Sequence, residues 1–391
     1  MNASSLLTRL PLAALVLGSA LSLSGCSWFS GWFGSKKTVV KPAELVEIKP
    51  SVGFTRAWDA SVGNAGPYVF SPGTDGQAVY AAGRDGRIVK LDLATGREAW
   101  RADAGQTLSA GVGVGEGLVL VGTPKGELLA YKAADGSAAW RTKLSGELLV
   151  PPEAAAGAVV ARSNDGKITL LEAATGKVRW TYNRVLPTLI LREQSHVILA
   201  DTAVYAGHAG GRLTALALNN GAPLWEVNVA LPRGVTELER ISDVTGTLAM
   251  DERIVCASAF QGRVGCFDRV SGNGAWARDY SSLGGVDMDS RFVYAVDEHD
   301  AVSAFDKGKG TNPWKQDKLR DRSLSSPVAV ADRFVALGDY QGYVHLINTE
   351  DGAFAARAAT DGSAIRGVML RLKSGVVAQT ANGGLYAFRI Q

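Results

Sequence analysis

A chain of 391 residues with 46% hydrophobic and 20% charged residues has the material for a large buried core, and a formal net charge of +3 is too balanced to recruit nucleic acid or a strongly anionic partner. Its 46 glycines suit a fold built from many tight turns.

Residues 1–25 carry one charge, Arg9, ahead of the apolar run Leu10 to Leu21 and the ending Leu23-Ser24-Gly25-Cys26. The run is too short to span a bilayer and small residues follow it, so it reads as a secretory signal peptide. Its ending resembles a bacterial lipobox. That resemblance implies cleavage before Cys26, diacylation of its sulfur and acylation of the new amino terminus, which together anchor stably where one chain holds only marginally. Ser27, where an aspartate commonly retains lipoproteins in the inner membrane, implies the outer membrane.

Residues 26–53 read as the lipidated terminus and a tether, with Trp28, Phe29, Trp32 and Phe33 followed by Lys36, Lys37, Pro42 and Pro50 and no strand pattern. Two readings stand for the aromatic start: rings resting at a lipid interface, or simple disorder near a terminus.

From residue 54 onward one unit recurs. The segment from Val79 reads VYAAGRDGRIVKLDLATGREAW, and matching segments begin at Leu118, Val159, Val204, Val255, Val293, Val335 and Val376. Closing tryptophans at 100, 140, 180, 225, 276 and 314 are spaced by 40, 40, 45, 51 and 38 residues. Apolar and polar residues alternate within each unit, predicting strands with one packed face and one wetter face. Asp85-Gly86, Asn164-Asp165-Gly166 and Gln261-Gly262 supply a first turn, and Thr95-Gly96 and Thr175-Gly176 a second. Units this small must stack, and a ring removes the exposed ends of the stack.

The seventh unit has Ala356 in place of its tryptophan, and the eighth stops at Gln391 before a fourth strand. Phe54-Thr55-Arg56-Ala57-Trp58-Asp59, with Trp58 placed 42 residues before Trp100, supplies the missing strand. The predicted fold is all-β: an eight-bladed β-propeller of four-stranded antiparallel blades over residues 54–391, its ring closed by an N-terminal strand.

Two units run long, and their surplus follows Trp180 and Trp225. The first connection spans Asn183 to Ser195 and the second Leu231 to Val244. Apolar residues there lie beside Arg192, Arg240, Glu239 and Asp243, a mixture that suits a protein interface. Leu189 and Leu191 also have a plainer reading, as residues of a blade's inner strand. Cys256 and Cys266 lie symmetrically about the Gln261-Gly262 turn, which permits a cross-strand disulfide in an oxidising compartment or, equally, two buried free thiols.

No HExxH, Cys-x-x-Cys or Gly-x-Ser-x-Gly motif occurs. Asp297-Glu298-His299-Asp300 falls where other units turn, so a solvated turn accounts for it better than a metal site. No catalytic residue, metal or cofactor is assigned.

The unit ending Leu91-Asp92-Leu93-Ala94-Thr95-Gly96-Arg97-Glu98-Ala99-Trp100 resembles the tryptophan-docking repeat of pyrroloquinoline quinone dehydrogenases, although the adjacent cysteine pair that caps their cofactor is missing. The lipobox, the tether, the eight repeats and the segments Leu189-Ile190-Leu191-Arg192-Glu193 and Thr236 to Val244 together resemble the BamB family of outer-membrane assembly lipoproteins. The resemblance covers essentially the whole chain. It implies a non-enzymatic scaffold of the BAM complex that binds the POTRA domains of BamA and promotes insertion of β-barrel proteins. Leu189, Leu191, Arg192, Arg240 and Asp243 would be partner-binding, and unfolded β-barrel clients would be further partners. The family often carries a second acid two positions after Asp243, where this chain has Thr245. A periplasmic propeller that holds a small ligand or cell-wall fragment in its channel is the alternative, with a quinoprotein-like enzyme third.

Overall fold

The computed structural model describes residues 41–200 and 202–391; the expected signal peptide, Cys26 and the start of the tether lie outside them. The described residues form thirty-two strands in eight antiparallel sheets of four. Blade one comprises Gly73–Thr74, Ala78–Ala82, Arg87–Asp92 and Glu98–Asp103, paired in chain order. First strands of successive blades touch, so they line the axis and the fourth strands form the rim.

The expected alternation of packed and wet faces holds only at the rim. Glu98–Asp103 alternates exposed and half-buried residues, whereas every residue of Ala78–Ala82 is buried. The middle strands are covered on both faces because each blade is sandwiched between two others, and only the fourth strand keeps an outer face in water.

The tryptophan works together with a bulge and a glycine. In blade one Lys90 pairs with Trp100 but Leu91 pairs with Glu98, leaving Ala99 as the extra residue of a bulge. A bulge bends its strand and re-aims the neighbouring side chain, and here it lays the indole on the next blade. Trp100 Nε1 donates to Ala133 O at 3.1 Å, and its ring covers Gly136, whose φ is +75°. A Cβ there would stand 2.7 Å from the ring. Trp58, Trp140, Trp180, Trp225, Trp276 and Trp314 likewise donate to a carbonyl of the following blade.

Blade eight consists of Leu370–Leu372, Gly375–Gln379, Gly384–Ile390 and, as its fourth strand, Phe54–Ser61, with Phe54 opposite Ile390 and Ser61 opposite Gly384. The N-terminal strand therefore closes the ring. Residues 42–53, expected to belong to a tether, lie in the same compact unit as the propeller.

Residues 42–53 run along blade seven, whose Ala356 leaves no indole for blade eight, and lead into Phe54–Ser61, blade eight's fourth strand. Ala43 N donates to Arg320 O and Ser51 N to Ala355 O, each at 2.9 Å. Arg322 Nη1 donates to Ala43 O at 2.9 Å and Arg357 Nη1 to Val46 O at 3.1 Å. The guanidiniums are aimed from beneath. Arg322 donates from Nε and Nη2 to Asp339 Oδ2 at 2.9 and 2.7 Å, His345 Nε2 lies 3.0 Å from the same oxygen, and Arg357 Nε donates to His345 Nδ1 at 3.1 Å. Leu45 and Val52 pack on the adjoining cores.

Candidate partner-binding site

The two long connections leave blade three after Val178–Tyr182 and blade four after Pro223–Asn228. Blade four's inner strand, Val197–Leu199, begins beyond the first connection, so Leu189 and Leu191 lie outside any inner strand. Leu189 is 42% exposed and Leu191 half-buried. The Arg192 side chain is 61% exposed, 3.3 Å from Glu147 and 5.7 Å from the centre of the Tyr68 ring. In the second connection Val235 and Leu238 stand almost free in water. Glu239 Oε2 accepts from Val235 N at 2.8 Å and Thr236 N at 3.0 Å, which folds this stretch into a capped turn, and Arg240 projects beside Glu237.

These connections are knit together. Leu191 N donates to Asp243 Oδ2 at 2.8 Å, and Gly210 N, in blade four's first turn, donates to Asp243 Oδ1 at 3.0 Å. Ser195 bridges to Gly246, whose carbonyl accepts from His196 N at 2.8 Å, and Val244 N donates to His208 O at 3.1 Å. Asp243, expected at the surface with Arg192, is instead buried with both carboxylate oxygens engaged inside the protein. Thr245 is buried too and donates from Oγ1 to Leu283 O at 2.9 Å, so the position of the family's second acid also faces inward.

Beneath the platform lies Arg162, at the end of blade three's second strand. It is buried, donates from Nη1 to Gly207 O and to Ser195 Oγ, and leaves Nε without a partner. Burial pulls its guanidinium down to about 10, against the opposing attraction of Asp243. Two imidazoles share its surroundings: burial, then repulsion by Arg162, brings His196 down to about 4 and pushes His208 well below its ordinary range. Glu153, half-buried on blade three's inner strand and accepting from Leu199 N at 2.8 Å, is pushed up to about 7 by loss of water around its carboxyl. Sequence reasoning missed Arg162. Its only signal was a cation inside the otherwise apolar run Val159-Val160-Ala161.

Leu191 and Arg192 also border a cavity of about 680 Å³ at the mouth of the channel. The inner strands around the axis share no repeated polar set; Ala-Met, Val-Asp-Met, Val-Ala-Val and Leu-Arg-Leu serve blades five to eight. Asp297 accepts from the backbone N–H groups of His299 and Ala301 and pairs with Lys315, while Asp300 accepts from Ser323 N and Leu324 N, so the acidic stretch is a turn tied to its surroundings. Among the described residues no group of three or more His, Cys, Asp or Glu is disposed to hold a metal ion. Cys256 and Cys266 face each other across the ladder and form a disulfide.

The sequence profile of the family described as "Outer membrane protein assembly factor BamB" matches residues 84–316 and 298–391. A protein of that name from Nitrosomonas eutropha is 42% identical over 97% of this chain and 95% of its own length, and one from Bordetella pertussis is 40% identical over 96% of each. The crystal structure of BamB from Moraxella catarrhalis superposes with a TM-score of 0.79 at 26% identity, covering 86% of this chain and all of that one. A quinohemoprotein alcohol dehydrogenase from Pseudomonas putida reaches a TM-score of 0.68 at 13% identity, over 86% of this chain and 76% of its own, a likeness of fold alone.

Proposed function

Because the chain belongs to the BamB family of outer membrane protein assembly factors, we propose that it is a non-enzymatic, lipid-anchored scaffold that docks on the POTRA domains of BamA within the BAM complex and promotes insertion of β-barrel proteins. On this reading residues 1–25 are a signal peptide, Cys26 carries the lipid at the periplasmic face of the outer membrane, and the tether ends near residue 41, where the compact unit begins.

The observation that carries the docking role is the pair of connections joined into one platform, with Leu189, Val235 and Leu238 exposed beside Arg192 and Arg240. Exposed apolar anchors inside a charged rim are the anatomy of a protein interface. In contrast, a channel ligand would call for matched polar groups on the inner strands, and these are dissimilar.

The test is a titration of the full chain, purified in detergent, with the isolated POTRA domains of BamA. Arg192→Glu and Leu189→Asp each weaken binding at least tenfold, about 1.4 kcal/mol, while their unfolding stays that of the parent. A well-folded parent that does not bind overturns the reading and turns attention to the channel mouth.

A further inference from the structure

We propose that Arg162 is a positioning residue for the docking platform: buried beneath both connections, it holds Ser195, the last residue of the first connection, and Gly207 of blade four by hydrogen bonds, at the place where the two connections join. The proposal rests on the docking reading for its consequence and on geometry for its substance.

Three observations converge. First, Arg162 is a cation in the core. A buried guanidinium is costly unless charge and hydrogen bonds compensate it, yet its Nε has no partner and no carboxylate among the described residues forms an ion pair with it within 4.0 Å. Asp243 is the acid whose attraction it feels, offsetting part of the burial.

Second, the groups that Arg162 grips sit where the connections join. Ser195 is the residue that bridges to Gly246, two residues beyond the end of the second connection. Gly207 precedes His208, whose carbonyl receives Val244 N from that same connection. Gly207 N in turn donates to Ser195 Oγ at 3.0 Å, so Arg162, Ser195 and Gly207 form a closed knot below the surface.

Third, Asp243 has no oxygen left for a partner protein. One carboxylate oxygen accepts from the amide of Leu191, next to Arg192, and the other from Gly210. Arg162 thus acts through Ser195 and Gly207, and Asp243 through the amides of Leu191 and Gly210, on the placement of Leu191 and Arg192, without touching the partner.

The experiment compares Arg162→Met, Arg162→Lys, Asp243→Asn and Arg192→Glu in the full chain, reading amide hydrogen exchange and POTRA binding on the same preparations. Arg162→Met is expected to speed exchange at least tenfold at Leu191, Gly210, His196 and Val244 while blades one, two and six keep their protection, and to weaken binding by a similar factor. Arg162→Lys, which keeps the cation, restores most of both. Asp243→Asn, with a single acceptor oxygen, speeds exchange at Leu191 or Gly210, and this arm decides the matter if Arg162→Met does not fold. Arg192→Glu weakens binding with exchange unchanged.

Unaltered exchange at the four amides in Arg162→Met, or loss of protection spread evenly around the ring, overturns the proposal. A parent that shows the exchange pattern but binds no POTRA domain sinks the docking reading and leaves the positioning role standing.

Discussion

At the scale of single residues, Glu153 and His196 titrate in opposed senses. Glu153 rises from an ordinary 4.5 to about 7, so the folded state holds a proton that the unfolded chain releases, and stability falls as pH climbs between those values. His196 drops from 6.5 to about 4, so the unfolded chain takes up the proton first and stability is lost as pH falls through that window. Removing either group exposes the other's slope. Relative to the parent, Glu153→Gln gains about 2 kcal/mol between pH 5 and pH 8, and His196→Gln gains a similar amount between pH 6.5 and pH 4. Urea unfolding across that range measures both, and parallel profiles for variant and parent would refute the assignment. None of this was legible in the sequence, where Glu153 and His196 are ordinary polar residues; burial decided it. For the same reason Asp243 was legible as an unusual acid in a long connection, while its inward direction was not.

The element scale is where sequence and structure agree most closely, because one contact must recur at nearly every blade junction. Each repeat needs an indole at the end of one blade and a glycine in the second turn of the next, and those residue types leave a period that survives divergence elsewhere. Gly136 shows why the pair is strict. An alanine there would take a left-handed conformation and drive its Cβ to 2.7 Å from the Trp100 ring. Strain and overpacking together predict a loss of about 2 to 4 kcal/mol for Gly136→Ala. Alanine at Gly105, also at positive φ but with open space around its Cβ position, escapes the overpacking and is expected to lose only about 1 to 2 kcal/mol. Equal losses from the two substitutions, measured by chemical denaturation, would show that backbone strain alone sets the glycine and that the indole contact adds nothing.

For the whole molecule, the question is how a ring with one defective junction stays closed. Seven junctions carry an indole clasp; the junction after blade seven has Ala356, and residues 42–53 form a strap fastened to blade seven that runs on into blade eight's fourth strand. That replacement was invisible in the sequence because it is made of backbone carbonyls met by Arg322 and Arg357, roughly three hundred residues downstream, and such contacts leave no period. It assigns the segment a structural task within the ring itself. A chain beginning at residue 54 keeps the closing strand but deprives two charged donors of Ala43 O and Val46 O. A hydrogen bond to a charged group is worth about 1.5 to 3 kcal/mol, so loss of these two should cost about 3 kcal/mol or more against a chain beginning at Pro42. The damage should be local first: amides of Phe354–Ala359 should exchange faster, while blades two and three keep their protection. Ala356→Trp in the shortened chain tests the substitution of strap for clasp directly. If an indole and the strap perform the same work, the tryptophan recovers part of the loss; if the tryptophan recovers nothing while the truncation is costly, the strap acts by satisfying Arg322 and Arg357, not by sealing the seam.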